Sequence, residues 1–281
     1  MSEHGIESTD ERTIGAPALK TASAILWDHW MAGERMDALP EAVRPASRTE
    51  GYAIQALLEE RSAEPIFGWK LAATSPAGQE HIGVDGPLAG RILAERLVVP
   101  GGICPFHNNL MQVAELEFAF RMGRTLPPRS AAYSVEDVLD AVGSLHLAVE
   151  VPDSRYHVFE RAGAPQLIAD NACANYFAVG PATEVDWRGI DLARHEVIGF
   201  IDDGPPQCGI GSNVLGDPRV ALQWLANELS QLGIPLEAGQ TVSTGTCVVP
   251  MAIAPGSRVR GNFGPLGMIA LNIAADGAEN V

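Results

Sequence analysis

Apolar residues recur at helical spacing between Ala18 and Met36, at Ala22, Ile25, Leu26 and Trp30, and predict a helix there. Ser47-Arg48-Thr49-Glu50 has capping-box spacing, with Ser47 as N-cap and Glu50 reaching back. A second helix should follow, with Tyr52, Ile54, Leu57 and Leu58 on or near its buried face, ending before Pro65. Beyond Pro65 the pattern changes. Ile66 to Ala72 reads as a strand, and Gly83, Gly86, Pro87 and Gly90 punctuate a loop region. Leu97-Val98-Val99 reads as a short strand stopped by Pro100-Gly101-Gly102. Further strands are expected at Val113–Arg121, Leu145–Val151, His195–Ile201, Gln240–Val248, Arg258–Gly261 and Gly267–Ile273. Two more helices are expected. One spans Ser134–Val142, with Ser134 and Asp137 at capping-box spacing; the other spans Asp217–Leu232, with Pro218 near N1.

These elements divide the chain into a polar, disordered tail (1–17), a helical N-terminal part (18–64) and a β-rich catalytic domain (65–275). The order is α+β, because strands and helices do not alternate regularly. No internal repeat is present. Hydrophobic residues make up 46% and charged residues 19%, a globular composition. The net charge of −16 argues against a nucleic-acid partner, whose counterions an acidic protein cannot release. No segment approaches the ~20 apolar residues of a membrane helix. Met1 to Arg12 lacks an apolar secretory core, so a cytoplasmic location is expected. Four scattered cysteines form no C-x-x-C pair, which disfavours a cysteine zinc site.

The most informative segment is Ala114-Glu115-Leu116-Glu117-Phe118-Ala119-Phe120. Residues two apart share a strand face, so Leu116, Phe118 and Phe120 point one way and Glu115 and Glu117 the other. Two readings fit: a solvated outer face, or a face where a cation offsets the repulsion. Small uncharged Val113 and Ala119 on the same face weigh against the first. Glu150 repeats the oddity inside the largely apolar run Leu145–Val151, where a carboxylate is costly unless paired or on a metal. Glu115, Glu117 and Glu150 together would form an all-oxygen site for a hard cation such as Mg²⁺ or Mn²⁺.

Lys70 is the second signal. The chain has two lysines, Lys20 and Lys70, and Lys70 lies inside an apolar strand. That placement suggests a specific anion or carbonyl partner, with a snorkelling strand-end lysine as the alternative; Asp85 in Gly83-Val84-Asp85-Gly86 could supply the partner, or be an ordinary turn aspartate. Gly209-x-Gly211 lacks a dinucleotide-binding context, and no nucleophile elbow, H-E-x-x-H or P-loop pattern occurs.

In these residues the chain resembles the 2-keto-4-pentenoate hydratase and 2-oxo-3-enedioate decarboxylase branch of the fumarylacetoacetate hydrolase superfamily. The matching pieces are Gly68 to Ser75, Ile82 to Pro87, Ala114 to Phe120, Val149 to Arg155, Asp170-Asn171-Ala172 and Thr244-Gly245. The resemblance implies a mixed β-sheet roll, of the type of that superfamily's C-terminal domain, with a helical N-terminal part. It implies Mg²⁺ or Mn²⁺ on Glu115, Glu117 and Glu150, an active-site lysine at Lys70 and an acid at Asp85. Trp69, Cys173, Thr244 and Gly245 are expected to line the substrate. Cys173 is a departure, since many relatives carry serine there.

The implied activity is a metal-dependent hydratase that adds water to a 2-hydroxy-2,4-dienoate in aromatic catabolism. The alternatives are a 2-oxo-3-enedioate decarboxylase, then an acylpyruvate-type hydrolase, for which no His-Glu pair near Ile82 is evident, or a non-catalytic 2-oxo-acid binder. The resemblance and the edge strands of a β-rich body also suggest a homo-oligomer.

Overall fold

The computed structural model describes residues 14–276. Chain entry is fixed by a helix cap. Ser47 Oγ accepts the Glu50 backbone N–H at 3.2 Å, as its N-cap position requires. The Glu50 carboxylate accepts N–H bonds from Ala46 and Ile14, each at 2.7 Å. That tie holds Ile14 in a buried position, and helix α1 (Ala16–Ala32) starts two residues later. Ordered structure therefore reaches into the stretch expected to be a tail; the remainder of that stretch, 1–13, lies outside the described residues.

Helix α2 (Arg48–Ala56) follows, then β1 (Gly68–Ala72), α3 (Pro76–His81), β2 (Leu88–Ile92), β3 (Ile103–Cys104) and β4 (Val113–Met122). Next come α4 (Val135–Ala141), whose Ser134–Asp137 capping box is complete, β5 (Val142–Val151), α5 (Ala164–Ala169) and β6 (Tyr176–Ala182). The chain closes with β7 (Glu196–Ile201), β8 (Gln207–Ile210), α6 (Pro218–Gln231), β9 (Thr241–Thr246), β10 (Met251–Ala252), β11 (Arg258–Asn262) and β12 (Met268–Ile273).

Two mixed sheets result. The larger has the order β2-β1-β9-β4-β5-β6, with β10 added to β4; the smaller runs β3-β12-β11-β7-β8. The β1–β9 and β12–β3 pairs are parallel and the other pairings are antiparallel. This is the mixed α+β architecture expected. Leu116, Phe118 and Phe120 of β4 are wholly buried, and Phe118 meets Phe263 edge-on at 5.2 Å. Ala22, Leu26, Tyr52 and Ile54 of the N-terminal helices belong to the same core as Leu71, Leu116 and Val149. The helical part is thus packed onto the β-rich part without a core of its own.

Elements α3, β3, α5, β6, β8 and β10 are additional to those expected, and two segments run against expectation. Leu97-Val98-Val99 is no strand; Leu97 makes a single bridge to Phe177, and Val98 N–H donates to Phe177 O at 2.7 Å. Conversely β2 occupies the region that glycines marked as loop. Gly90 there is a close-approach residue: a Cβ on it would lie 2.4 Å from the Asn171 carbonyl oxygen.

Candidate active site

The site is assembled by strand register. Glu115 and Glu117 alternate onto one face of β4, and Glu150 of β5 pairs directly across from Glu115. One oxygen from each carboxylate lies within 4.8 Å of the others. Glu117 and Glu150 are wholly buried, and Glu115 is partly exposed. Glu117 Oε2 accepts from Ser243 Oγ and from Gly245 N–H, the latter at 2.9 Å. Glu117 Oε1 and Glu150 Oε2 are buried with no hydrogen-bond donor. Burial, then the neighbouring Glu117, pushes the Glu115 carboxyl up to about 7. Burial likewise raises Glu117 and Glu150.

Lys70 reaches this face from β1, two strands away, with β9 between. Its ammonium is buried and pairs with Glu150 Oε1 at 2.9 Å. It donates a second bond, also 2.9 Å, to Ala172 O. Burial disfavours the charged ammonium, but Glu150, Glu115 and Glu117 overcome this and raise its proton affinity.

Ala172 sits in an unusual segment. Asn171, Ala172 and Cys173 have φ of 55°, 50° and 60°, one turn of left-handed backbone without glycine. The Asn171 side chain locks this turn to β2, accepting from Arg91 N at 2.6 Å and donating to Arg91 O at 2.8 Å. Behind it, Asp170 is buried on Arg155 and accepts from Ser154 Oγ at 2.8 Å and Arg155 N at 3.0 Å.

The structure brings Glu115, Glu117, Glu150, Lys70 and the Gly245 N–H together. It does not place the other expected residues there in the expected way. Asp85 is 92% exposed and lies 3.8 Å from Arg48, while Glu150 takes the Lys70 pairing expected of it. Trp69 alternates to the opposite sheet face from Lys70, where its Nε1 donates to Gln240 at 3.1 Å and Arg91 lies 4.7 Å over its ring. The Thr244 hydroxyl donates to Phe118 O at 2.9 Å, tying β9 to β4, so Gly245 serves the site through its backbone alone. Cys173 is buried, and burial, then Asp170, pushes its thiol up to about 12, which favours the neutral thiol. Sequence reasoning missed Ser243 and the left-handed turn; a Ser-Thr-Gly run inside a buried strand was the available signal for the first.

The donor set fits a divalent cation. Three carboxylates against one ammonium leave two negative charges, and buried carboxylate oxygens remain without donors. Among the described residues, this is the cluster of acidic, histidine and cysteine ligands close enough to hold a metal ion.

No family model matches the chain. It is 30% identical over 234 residues to a 2-keto-4-pentenoate hydratase of Paraburkholderia phymatum, covering 82% of this chain and 88% of the relative. It is 30% identical over 221 residues to a 4-oxalocrotonate decarboxylase of a Pseudomonas species, covering 77% and 82%. The solved 4-oxalocrotonate decarboxylase of Pseudomonas putida, complexed with magnesium and adipate, superposes with a TM-score of 0.84 at 23% identity, covering 94% of this chain and 100% of that one.

Proposed function

Because the chain belongs to the 2-keto-4-pentenoate hydratase and 4-oxalocrotonate decarboxylase family of the fumarylacetoacetate hydrolase superfamily, we propose that its carboxylate face is the catalytic site of a metal-dependent hydratase. The substrate class is a 2-hydroxy-2,4-dienoate, converted with water into a 4-hydroxy-2-oxo acid, as in the breakdown of aromatic compounds. The observation that carries the reading is the buried Glu115–Glu117–Glu150 face with Lys70 beside it and two carboxylate oxygens left without donors.

Glu115, Glu117 and Glu150 would hold Mg²⁺ or Mn²⁺, which when bound supplies Lewis-acid stabilisation of enolate charge. The remaining work falls to the chain itself. Ser243 and Gly245 hold Glu117 in one orientation. Glu150 and Ala172 O take two of the three N–H bonds of Lys70. The third is left for a substrate oxygen, and its charge acts with little reorganisation in a buried, low-dielectric site. Burial of the ammonium also keeps bulk water from competing for that oxygen. Asp85 enters no step in this arrangement.

The 4-oxalocrotonate decarboxylase relatives support a second reading, decarboxylation of a 2-oxo-3-enedioate. Such a substrate carries a second carboxylate, and among the described residues Lys70 is the one cation paired with the triad. No further cation there meets the second carboxylate, which favours the monocarboxylate and hence the hydratase. Metal-stripped protein should be incubated with 2-hydroxypenta-2,4-dienoate and, separately, with a 2-oxo-3-enedioate, each with and without Mg²⁺. Metal-dependent gain of water on the first establishes the hydratase. Loss of CO₂ from the second alone replaces it with the decarboxylase, and normal turnover in Glu117→Gln removes the metal from both. A cytoplasmic homo-oligomer accompanies this reading. The named relatives are bacterial enzymes, and among the described residues no helix is long and apolar enough to cross a membrane.

A further inference from the structure

A cavity of about 540 Å³ opens where α1 meets the segment after β2; Trp27, Trp30, Tyr176, Arg35, Arg61 and Arg96 line it. None of the triad residues and neither Lys70 nor Cys173 lines it, so it is separate from the carboxylate face. The volume lies in the range of small-molecule sites.

Its chemistry runs against that of the whole chain. The net charge is −16, yet three arginines line this one cavity. Two carboxylates, Asp153 and Glu95, also line it. Asp153 is engaged with Arg35, and Glu95 accepts from Ser62 Oγ at 2.9 Å. One net positive charge remains.

Arg96 has no carboxylate partner among the described residues. Its guanidinium stacks 4.7 Å from the Trp30 ring centre and 5.1 Å from that of Tyr176, which fixes its plane. One terminal nitrogen donates to the Tyr176 hydroxyl at 2.9 Å; among the described residues the other meets only Met31 Sδ at 3.3 Å, a weak acceptor. Neither Arg96 nor Arg61 is in an ion pair among the described residues. Arg35 Nε is likewise buried without a hydrogen-bond partner. A guanidinium held flat by two aromatic rings, with donors to spare, is built for a planar oxyanion. Trp27, half-buried and packed edge-on to Trp30 at 6.0 Å, supplies an apolar wall beside it.

We propose that this cavity binds a small aromatic monocarboxylate, with its carboxylate on Arg96 and Arg61 and its ring against Trp27. A single net positive charge matches one carboxylate and is too little for a polyphosphate.

Benzoate is the probe, titrated calorimetrically into the magnesium-loaded full chain. Benzyl alcohol, which lacks the charge, and acetate, which lacks the ring, are the controls. Benzoate should bind at least about tenfold more tightly than either. Arg96→Met should weaken benzoate by about tenfold or more, with dienoate turnover unchanged, whereas Glu117→Gln should bind it as the parent does. If Arg96→Met does not fold, Arg61→Met and Trp27→Leu decide, each weakening benzoate without changing turnover. Loss of benzoate binding in Glu117→Gln would move the ligand to the carboxylate face and overturn the proposal. So would equal affinity for acetate, unchanged affinity in the arginine variants, or no heat at millimolar benzoate, as when another copy of the chain covers the cavity.

Discussion

Gly245→Ala tests whether the carboxylate face depends on the backbone as well as on its acids. Gly245 has φ +103°, and its N–H holds Glu117 Oε2. A Cβ there would lie 2.1 Å from Thr74 Oγ1 and 2.9 Å from Thr74 Cγ2. Thr74 is itself buried and cannot swing into solvent. The backbone conformation costs an L-residue about 1–2 kcal/mol, and the overpacking adds about 1–3 kcal/mol. The variant should therefore lose about 2–5 kcal/mol in urea unfolding of the metal-free protein. Thr74→Ala removes the clashing atoms but not the φ penalty. Added to Gly245→Ala, it should recover about 1–3 kcal/mol, a coupling readable from the double-mutant cycle. Magnesium affinity should fall in the single variant and partly return in the double one. Stability within about 0.5 kcal/mol of the parent, or no coupling to Thr74, would refute this account of β9.

Three more outcomes follow from the same geometry. A carboxyl held at about 7 in the fold, against an ordinary value of 4.5, binds its proton more tightly folded than unfolded. Metal-free protein should thus lose stability as pH rises from 4.5 to 7, a slope that saturating Mg²⁺ or Glu115→Gln reduces; urea midpoints that rise in step for parent and Glu115→Gln would contradict it. Asp170→Ala leaves Arg155 buried without its carboxylate and should cost about 3–5 kcal/mol in urea unfolding, with a loss below about 1 kcal/mol counting against the pair. Asp85→Asn, at an exposed side chain, should keep kcat within about twofold of the parent; a hundredfold fall would restore Asp85 to the mechanism.

The triad was legible because strand alternation has a period of two. Glu115 and Glu117 had to share a face, and Glu150 stood out as a charge in an apolar run. What pairs with Lys70 was not legible. The sheet order sets β1 between β2 and β9, and the acids that meet Lys70 come from β4 and β5 beyond β9, which nothing local to Lys70 encodes; the Asp85 loop leads into the neighbouring β2 but leaves its carboxylate in solvent. Trp69 is expected to line the substrate, although the same alternation that joins Glu115 to Glu117 separates Trp69 from Lys70. Helix starts at Ser47, Ser134 and Asp217 could be read because caps are local chemistry. Strand β2 was hidden because Gly90 resembles a turn residue until Asn171, eighty-one positions later, is seen pressed against it.

The left-handed turn at Asn171–Cys173 also limits which side chains evolution or an engineer can place beside Lys70. At φ near 60° a side chain branched at Cβ crowds its own carbonyl, so valine, isoleucine and threonine are poor choices at position 173. Glycine, asparagine, serine and cysteine remain the better-tolerated alphabet, and serine to cysteine is a one-atom step within it. Drift at this position can change the polarity of the wall beside the lysine but hardly its bulk. A library seeking longer or bulkier substrates should therefore diversify other walls and leave residues 171–173 alone.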